Sequence, residues 1–174
     1  MKKYKLAFFI SHPIQYYTPF FQTLSNHPEI DLMVYFCFKG ASEKFADPEF
    51  GIEIKWDQLP LDNYKWKILP NWSPFPGISF WGLINPGIIS ELNREKYDAV
   101  IVHGYNLLTH WLAFWGAWKS KTPIILKGEA DLLNLNEMSF PKKAVKKFIL
   151  KNLFKKIDAF LYSYRLNRTF FEYY

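Results

Sequence analysis

The stretch Y-K-L-A-F-F-I-S-H-P, residues 4–13, decides the fold, because a strand-length segment that is apolar after Lys5 ends abruptly in a polar turn. Residues 98–103 (D-A-V-I-V-H) and 123–127 (P-I-I-L-K) have a similar form. A strand with one solvated face would alternate apolar and polar residues, whereas these segments are apolar on both faces. The pattern therefore predicts a doubly wound, mostly parallel α/β sheet with helices on both faces.

Strand-length and helix-period segments alternate along the rest of the chain. Thr18 and Asn85 each precede a proline and are predicted helix caps. Residues 58–82 are rich in proline and aromatic residues, which predicts a long ordered loop. No composition shift marks a boundary, so residues 1–174 are expected to form one domain. The predicted strands are 4–10, 31–38, 52–56, 98–103, 123–127 and 158–163. Three helices are predicted over 85–95, 106–118 and 141–156, and two further helices are predicted to begin at Thr18 and at Arg165.

Composition limits the protein class. The 174 residues are 49% hydrophobic, which is typical of a globular domain with a real core. A single cysteine, Cys37, excludes an internal disulfide and fits a reducing compartment. The apolar run after the first lysines is shorter than a signal-peptide core or a membrane span. These features predict a protein that is cytoplasmic or sits on a membrane from the cytoplasmic side. The net charge of +6 favours anionic partners such as lipid headgroups, phosphates or nucleic acid.

Candidate functional residues follow the predicted strands. Ligands of such sheets bind at the carboxyl ends of the strands, where the strand order reverses; with the order 3-2-1-4-5-6 this point lies between the first and fourth strands. Ser11 and His12 follow the first strand, His103 and Gly104 close the fourth, and Glu129 follows the fifth. Either histidine could instead be structural, His12 bonding its own turn and His103 lying satisfied in the core. For Glu129 we favour contact with a ligand over a structural role, because burial of an unpaired acid is costly.

Several common motifs are missing from the sequence. The first strand is not followed by G-x-G-x-x-G, which argues against dinucleotide binding of the ordinary kind. The chain has no Walker loop and no G-x-S-x-G nucleophile turn, so a P-loop nucleotidase and a common hydrolase are excluded. The four histidines lack metal-ligand spacing, and we expect no metal site.

Two surface features allow two interpretations each. The lysine-rich helix is either a docking site for anionic lipid or a crossover helix with a solvated basic face, and the second interpretation is favoured because the lysines do not separate cleanly from the apolar stripe. The tryptophans at 111, 115 and 118 form a stripe that is more typical of core than of a membrane or dimer surface. The lysines in question are Lys142, Lys143, Lys146 and Lys147.

Five segments together carry a resemblance to a known family. They are F-F-I-S-H-P-I-Q-Y-Y-T-P-F-F (8–21), W-D-Q-L-P-L-D-N-Y (56–64), Y-D-A-V-I-V-H-G-Y (97–105), I-I-L-K-G-E-A (124–130) and I-D-A-F-L-Y-S (157–163). They resemble family-four glycosyltransferases of the GT-B fold, and H-P-I-Q-Y-Y is the most specific of them. The similarity spans nearly the whole chain.

The resemblance implies two Rossmann-like domains facing each other across a cleft, and this chain would be the N-terminal, acceptor-side one. It implies retaining transfer, without an obligatory metal or other cofactor, from a nucleotide-sugar to a lipid-linked or polysaccharide acceptor at the cytoplasmic membrane. The nucleotide-sugar, a co-substrate, would bind mainly to a C-terminal domain that is absent here, so the fragment alone should be inactive. The residues expected at the cleft are His12, His103 and Glu129 as catalytic candidates, and Ser11, Gln15, Tyr16, Gly104, Tyr105, Asn106 and Gly128 as substrate-binding candidates.

One position departs from the family pattern, and two other protein classes stay open. Many members carry a second histidine where this chain has Tyr105, so a histidine contact with the donor sugar is not expected there. The main alternative is a stand-alone small-ligand-binding α/β module without catalysis. A nucleic-acid-binding protein is disfavoured because the basic residues cluster in one helix and no recognition motif is present.

Overall fold

A computed structural model describes residues 2–38, 61–133 and 138–174, which form six strands and five α-helices. The first half contains β1 (Tyr4–Ile10), a short 3₁₀ helix (Gln15–Tyr17), α1 (Thr18–Asn26), β2 (Ile30–Phe36), β3 (Lys65–Ile68) and α2 (Gly87–Glu95). The second half contains β4 (Ala99–His103), α3 (Leu108–Ser120), β5 (Ile124–Gly128), α4 (Phe140–Phe154), β6 (Ala159–Tyr162) and α5 (Arg165–Tyr173).

All six strands belong to one parallel sheet with the order β3-β2-β1-β4-β5-β6. This confirms the predicted fold class and strand order. The central strands are apolar on both faces because each face is covered. In β1, Phe8 and Ile10 join a cluster with Phe21 of α1, whereas Ala7 and Phe9 join a second cluster with buried residues of α2, α3, α4 and α5. The order reverses between β1 and β4, where helices change from one face to the other.

One strand of the sheet lies where a loop was predicted. The predicted strand at 52–56 lies outside the described residues. Within the predicted loop 58–82, Lys65–Ile68 forms β3 beside β2, and residues 69–82 contain neither helix nor strand. β3 is an edge strand with two lysines and mostly exposed side chains. It therefore lacks the apolar run that identified the central strands, and lysines on an edge strand discourage pairing with other chains.

Neither predicted cap acts as one. Thr18 is the first residue of α1, so Tyr17 takes the cap position, and the Tyr17 side chain makes no capping hydrogen bond. Asn85 is fully buried and reaches across the fold instead: its Nδ2 donates to the carbonyl oxygens of Cys37, Leu69 and Pro70 at 2.8, 3.2 and 2.9 Å, and its Oδ1 accepts from Thr109 at 2.9 Å. These hydrogen bonds of Asn85 connect the segments that follow β2 and β3 to α3.

The tryptophan stripe of α3 is only partly core. Trp111 and Trp118 pack against the buried cluster, as predicted, but Trp115 is 52% exposed and lies beneath the Lys119 ammonium group. Within the described ranges, no helix combines the length and the apolar character needed to cross a bilayer.

Candidate functional site

Three strand ends that are distant in sequence meet at the carboxyl edge of the sheet. β1 pairs with β4, and β4 pairs with β5, so the residues after Ile10, the end of β4 and the residues after Gly128 lie side by side. Between them is a cavity of about 300 Å³, which we call the switch-point cavity. It is lined by Ser11, Ile78, His103, Gly104, Tyr105, Asn106, Leu107, His110, Gly128, Glu129 and Ala130.

Beside this cavity, four polar side chains form one connected group, the edge cluster of Tyr17, His103, Lys127 and Glu129. The Tyr17 hydroxyl donates to Glu129 Oε1 at 3.0 Å and lies 2.8 Å from His103 Nε2. A carboxylate can only accept and the hydroxyl has a single proton, so His103 must carry its proton on Nε2 and donate to Tyr17. The tyrosine therefore fixes both the tautomer of the histidine and the position of the acid.

Lys127 places a positive charge inside the edge cluster. His103 and Lys127 are register partners on adjacent strands, so their side chains point to the same face of the sheet. The Lys127 ammonium lies 3.6 Å from Glu129 Oε1, donates to Ser163 Oγ at 3.0 Å and lies 5.2 Å from the centre of the Tyr17 ring. Its side chain is only 11% exposed, which strengthens these electrostatic interactions.

His103 is neutral at physiological pH. Burial, and next the positive charge of Lys127, lower its pKa to about 4, although Glu129 acts in the opposite direction. A neutral imidazole can hold a hydrogen bond to an uncharged ligand without attracting anions. Burial and then Glu129 raise the pKa of Tyr17 far above its usual value, so this hydroxyl keeps its proton.

His110 forms the inner wall of the switch-point cavity from the first turn of α3. The residue is 2% exposed, and neither ring nitrogen has a hydrogen-bond partner within the described part of the chain. Burial, followed by the influence of His103, lowers its pKa to about 3. Buried polar groups are normally paired, so an unpaired imidazole beside a cavity is unusual.

Gly104 lets the chain pass over this imidazole. Its φ is +97°, in the left-handed region, and a Cβ built there would lie 3.1 Å from both Asn106 Oδ1 and His110 Cε1. Any side chain would meet strain and crowding together. Glycine thus keeps the cavity wall thin between the end of β4 and α3.

The loop that carries Glu129 is held in place by Tyr164, which directly precedes α5, and by Asn167 of α5. The Tyr164 hydroxyl donates to the Glu129 carbonyl oxygen at 2.7 Å. The buried Asn167 donates to the Ala130 carbonyl oxygen at 2.8 Å and accepts from the Ser163 amide at 3.2 Å. These two side chains act as positioning residues, because they fix the loop without lining the cavity.

The structure brings together most of the predicted site residues and leaves three at its margin. Ser11, His103, Gly104, Tyr105, Asn106, Gly128 and Glu129 line the cavity. His12 does not line it: its Nδ1 lies 2.9 Å from Ser11 Oγ. Gln15 and Tyr16 lie in the 3₁₀ helix with their side chains exposed, Tyr16 by 66%.

Sequence reasoning missed Tyr17, Lys127 and His110. A lysine at the end of an apolar strand, P-I-I-L-K, was a visible signal for Lys127, because a charge there must find a partner at the sheet edge. A histidine among the apolar residues of α3 was a weaker signal for His110. Nothing in Y-Y distinguishes the buried Tyr17 from the exposed Tyr16 before the fold is known.

Among the described residues, no cluster of three or more histidine, cysteine, aspartate or glutamate side chains could hold a metal ion. No protein-family model matches the chain, and a comparison with curated protein sequences finds no match.

Proposed function

We propose that this chain is the acceptor-side domain of a retaining GT-B glycosyltransferase. In this proposal a sugar moves from a nucleotide-sugar, held mainly by a second α/β domain, to a lipid-linked or polysaccharide acceptor. The observation that carries it is the switch-point cavity, where an acid, a neutral histidine and an amide meet at the site where open α/β sheets bind ligands. Its volume of about 300 Å³ suits a small polar ligand.

The groups at the cavity match a ligand with several neighbouring hydroxyls. Each sugar hydroxyl both donates and accepts a hydrogen bond. The Glu129 carboxylate accepts, the Asn106 amide does both, and the tautomer of His103 is fixed by Tyr17. A dinucleotide would instead need a glycine-rich turn at the start of a helix, and the residues after β1 are Ser11-His12-Pro13.

The transfer step divides between the two domains. The acceptor oxygen bonds to the anomeric carbon on the face from which the diphosphate leaves, and the bond from that carbon to the diphosphate breaks. The nucleoside diphosphate leaves with the electron pair, and its leaving oxygen takes up the proton of the acceptor hydroxyl. Glu129 and His103 would hold this hydroxyl on the acceptor side, and the phosphates would belong to the second domain. The 174-residue chain alone should therefore bind an acceptor saccharide without consuming a nucleotide-sugar.

Saccharide binding by the chain tests the proposal. The fluorescently labelled chain is applied to an array of glycans and lipid-linked oligosaccharides, beside the Glu129→Gln and Glu172→Gln variants. Glu172 is the matched control because it is an exposed glutamate on α5, paired with Arg168. We expect a subset of saccharides to bind the wild type and the Glu172→Gln variant, and to bind Glu129→Gln at least about tenfold more weakly, since a hydrogen bond to a charged group is lost.

Other outcomes would contradict the proposal. Binding that is unaffected by Glu129→Gln would move the saccharide site away from the edge cluster. Failure to bind any saccharide, together with tight binding of another small metabolite, would favour the stand-alone binding module. Release of nucleoside diphosphate from a nucleotide-sugar by the chain alone would contradict the division between two domains.

A further inference from the structure

The first ten residues of α4 expose large apolar side chains. Only Leu150, Leu153 and Phe154, near the end of the helix, are buried. In front of them, Phe140 is 83% exposed, Phe148 73%, Val145 58% and Ile149 43%. Large apolar side chains that cluster on the surface in this way are typical of a site that binds another molecule or a membrane.

Val145, Phe148 and Ile149 form a continuous surface, the α4 apolar strip. They are neighbours on the helix because residues three and four positions apart share a face. The strip continues into a groove of about 570 Å³ between α4 and the start of α3, whose lining is almost entirely apolar. Val145 and Ile149 form one wall of this groove, and Phe80 and Trp111 belong to its other lining residues.

Two rows of lysines border the α4 apolar strip. Lys147, Lys151 and Lys155 follow one another at four-residue intervals on one side, and Lys142 and Lys146 do so on the other. The helix contains no acidic residue, and none of these lysines forms an ion pair with an acid of the described ranges. Lys146 and Lys147 lie over the rings of Phe170 and Tyr173, contacts that leave their charge intact.

We propose that α4 docks on an anionic lipid bilayer, with the α4 apolar strip entering the headgroup boundary and the two lysine rows contacting lipid phosphates. An apolar face flanked by lysines is the pattern of helices that lie in the membrane interface. The adjacent groove then receives an acyl chain. The phosphates of a nucleic acid could pair with the lysines, but Phe148 and Val145 would then stay in water. A bilayer would contact both the lysines and the apolar side chains, so we favour a bilayer.

This docking surface does not depend on the transferase proposal, although the two are compatible in space. Tyr105 lines both the apolar groove and the switch-point cavity. A lipid-linked acceptor anchored in the bilayer could therefore present its head group to the cavity while its chain stays beside α4.

Vesicle flotation of the whole chain tests the docking surface. The vesicles consist of phosphatidylcholine alone, or of equal parts of phosphatidylcholine and phosphatidylglycerol. The variants are Lys147→Glu with Lys151→Glu, and separately Phe148→Ser. All three side chains are exposed, and circular dichroism checks that each variant is folded. The matched control is Lys2→Glu with Lys3→Glu, which makes the same charge change at the amino ends of the strands.

We expect the wild type and the Lys2/Lys3 control to float with anionic vesicles only. The Lys147/Lys151 variant should bind at least about tenfold more weakly, because each lysine near the surface contributes several-fold. Phe148→Ser should weaken binding without a charge change. Failure to bind anionic vesicles, equal losses for both charge variants, or full binding by Phe148→Ser would each overturn the proposal. Binding to a single-stranded oligonucleotide with no flotation would replace the bilayer by a nucleic acid.

Discussion

The buried, unpaired His110 imidazole should make the stability of the folded chain depend on pH. Burial and then His103 lower its pKa from 6.5 to about 3, so the folded chain holds this ring neutral across the range from pH 7 to pH 5. The unfolded chain, with a pKa near 6.5, takes up a proton as the pH falls through that value. A lowered histidine pKa therefore contributes stability above pH 6.5, and that contribution is lost on acidification.

The size of the effect follows from linkage. Between pH 7 and pH 5, protonation of one such histidine in the unfolded state alone lowers the free energy of unfolding by about 2 kcal/mol. His103, with a pKa of about 4, adds a loss of similar size. Replacing His110 with methionine removes the first contribution and leaves the second. At pH 7 the variant should be at least as stable as the wild type, since it no longer buries an unpaired polar ring.

The assay is urea unfolding at pH 7, 6 and 5, followed by tryptophan fluorescence and circular dichroism. Equal m-values across pH and variants are required before the free energies are compared. We expect His110→Met to lose about 2 kcal/mol less stability than the wild type between pH 7 and pH 5. His27→Gln, at an exposed position outside the cluster, controls for the loss of a histidine as such. A His110→Met chain with the wild-type pH dependence would refute the claim that this ring stays neutral and buried.

Three further substitutions test individual contacts. Tyr17→Phe should cost about 1–2 kcal/mol in unfolding free energy at pH 7, because the shared hydroxyl of the edge cluster is lost, and it should weaken saccharide binding on the array. Asn85→Ala should cost about 3 kcal/mol, since buried carbonyl groups lose their donor; the same measurement on Asn71→Ala, a half-buried loop asparagine, gives the comparison. Gly104→Ala should cost about 1–2 kcal/mol from its positive φ alone, whereas Gly87→Ala, which meets no atom within 4 Å, should not destabilise.

The sequence was sufficient to predict a parallel sheet and its strand order because the central strands are buried on both faces. Each of them is an apolar run that only a covered, parallel sheet accommodates, and the right-handed crossover then limits the strand order. β3 escaped prediction because an edge strand pairs on one side only and tolerates lysines, so K-W-K-I has no apolar signature. Asn85 was misassigned because the sequence N-P-G resembles a helix start, whereas its burial depends on contacts with residues far away in the chain.

The site was predictable only as a location. Strand order places Ser11, His103 and Glu129 on one edge, and no side-chain detail is needed for that. Tyr17 joins His103 and Glu129 through distances that depend on where α1 packs, and adjacent tyrosines in Q-Y-Y look alike until one is buried. The exposed Phe148 on α4 was likewise hidden, because periodicity shows which residues share a face but not which face the sheet covers.

The most direct test of the central claim is to map a bound saccharide on the chain by amide chemical-shift changes in solution. We expect the largest changes at Ser11, Gly104 and Gly128, and we expect them to disappear with Glu129→Gln but to persist with Glu172→Gln. Changes concentrated at the opposite edge of the sheet, around Lys5 and Asp98, would contradict a binding site between β1 and β4.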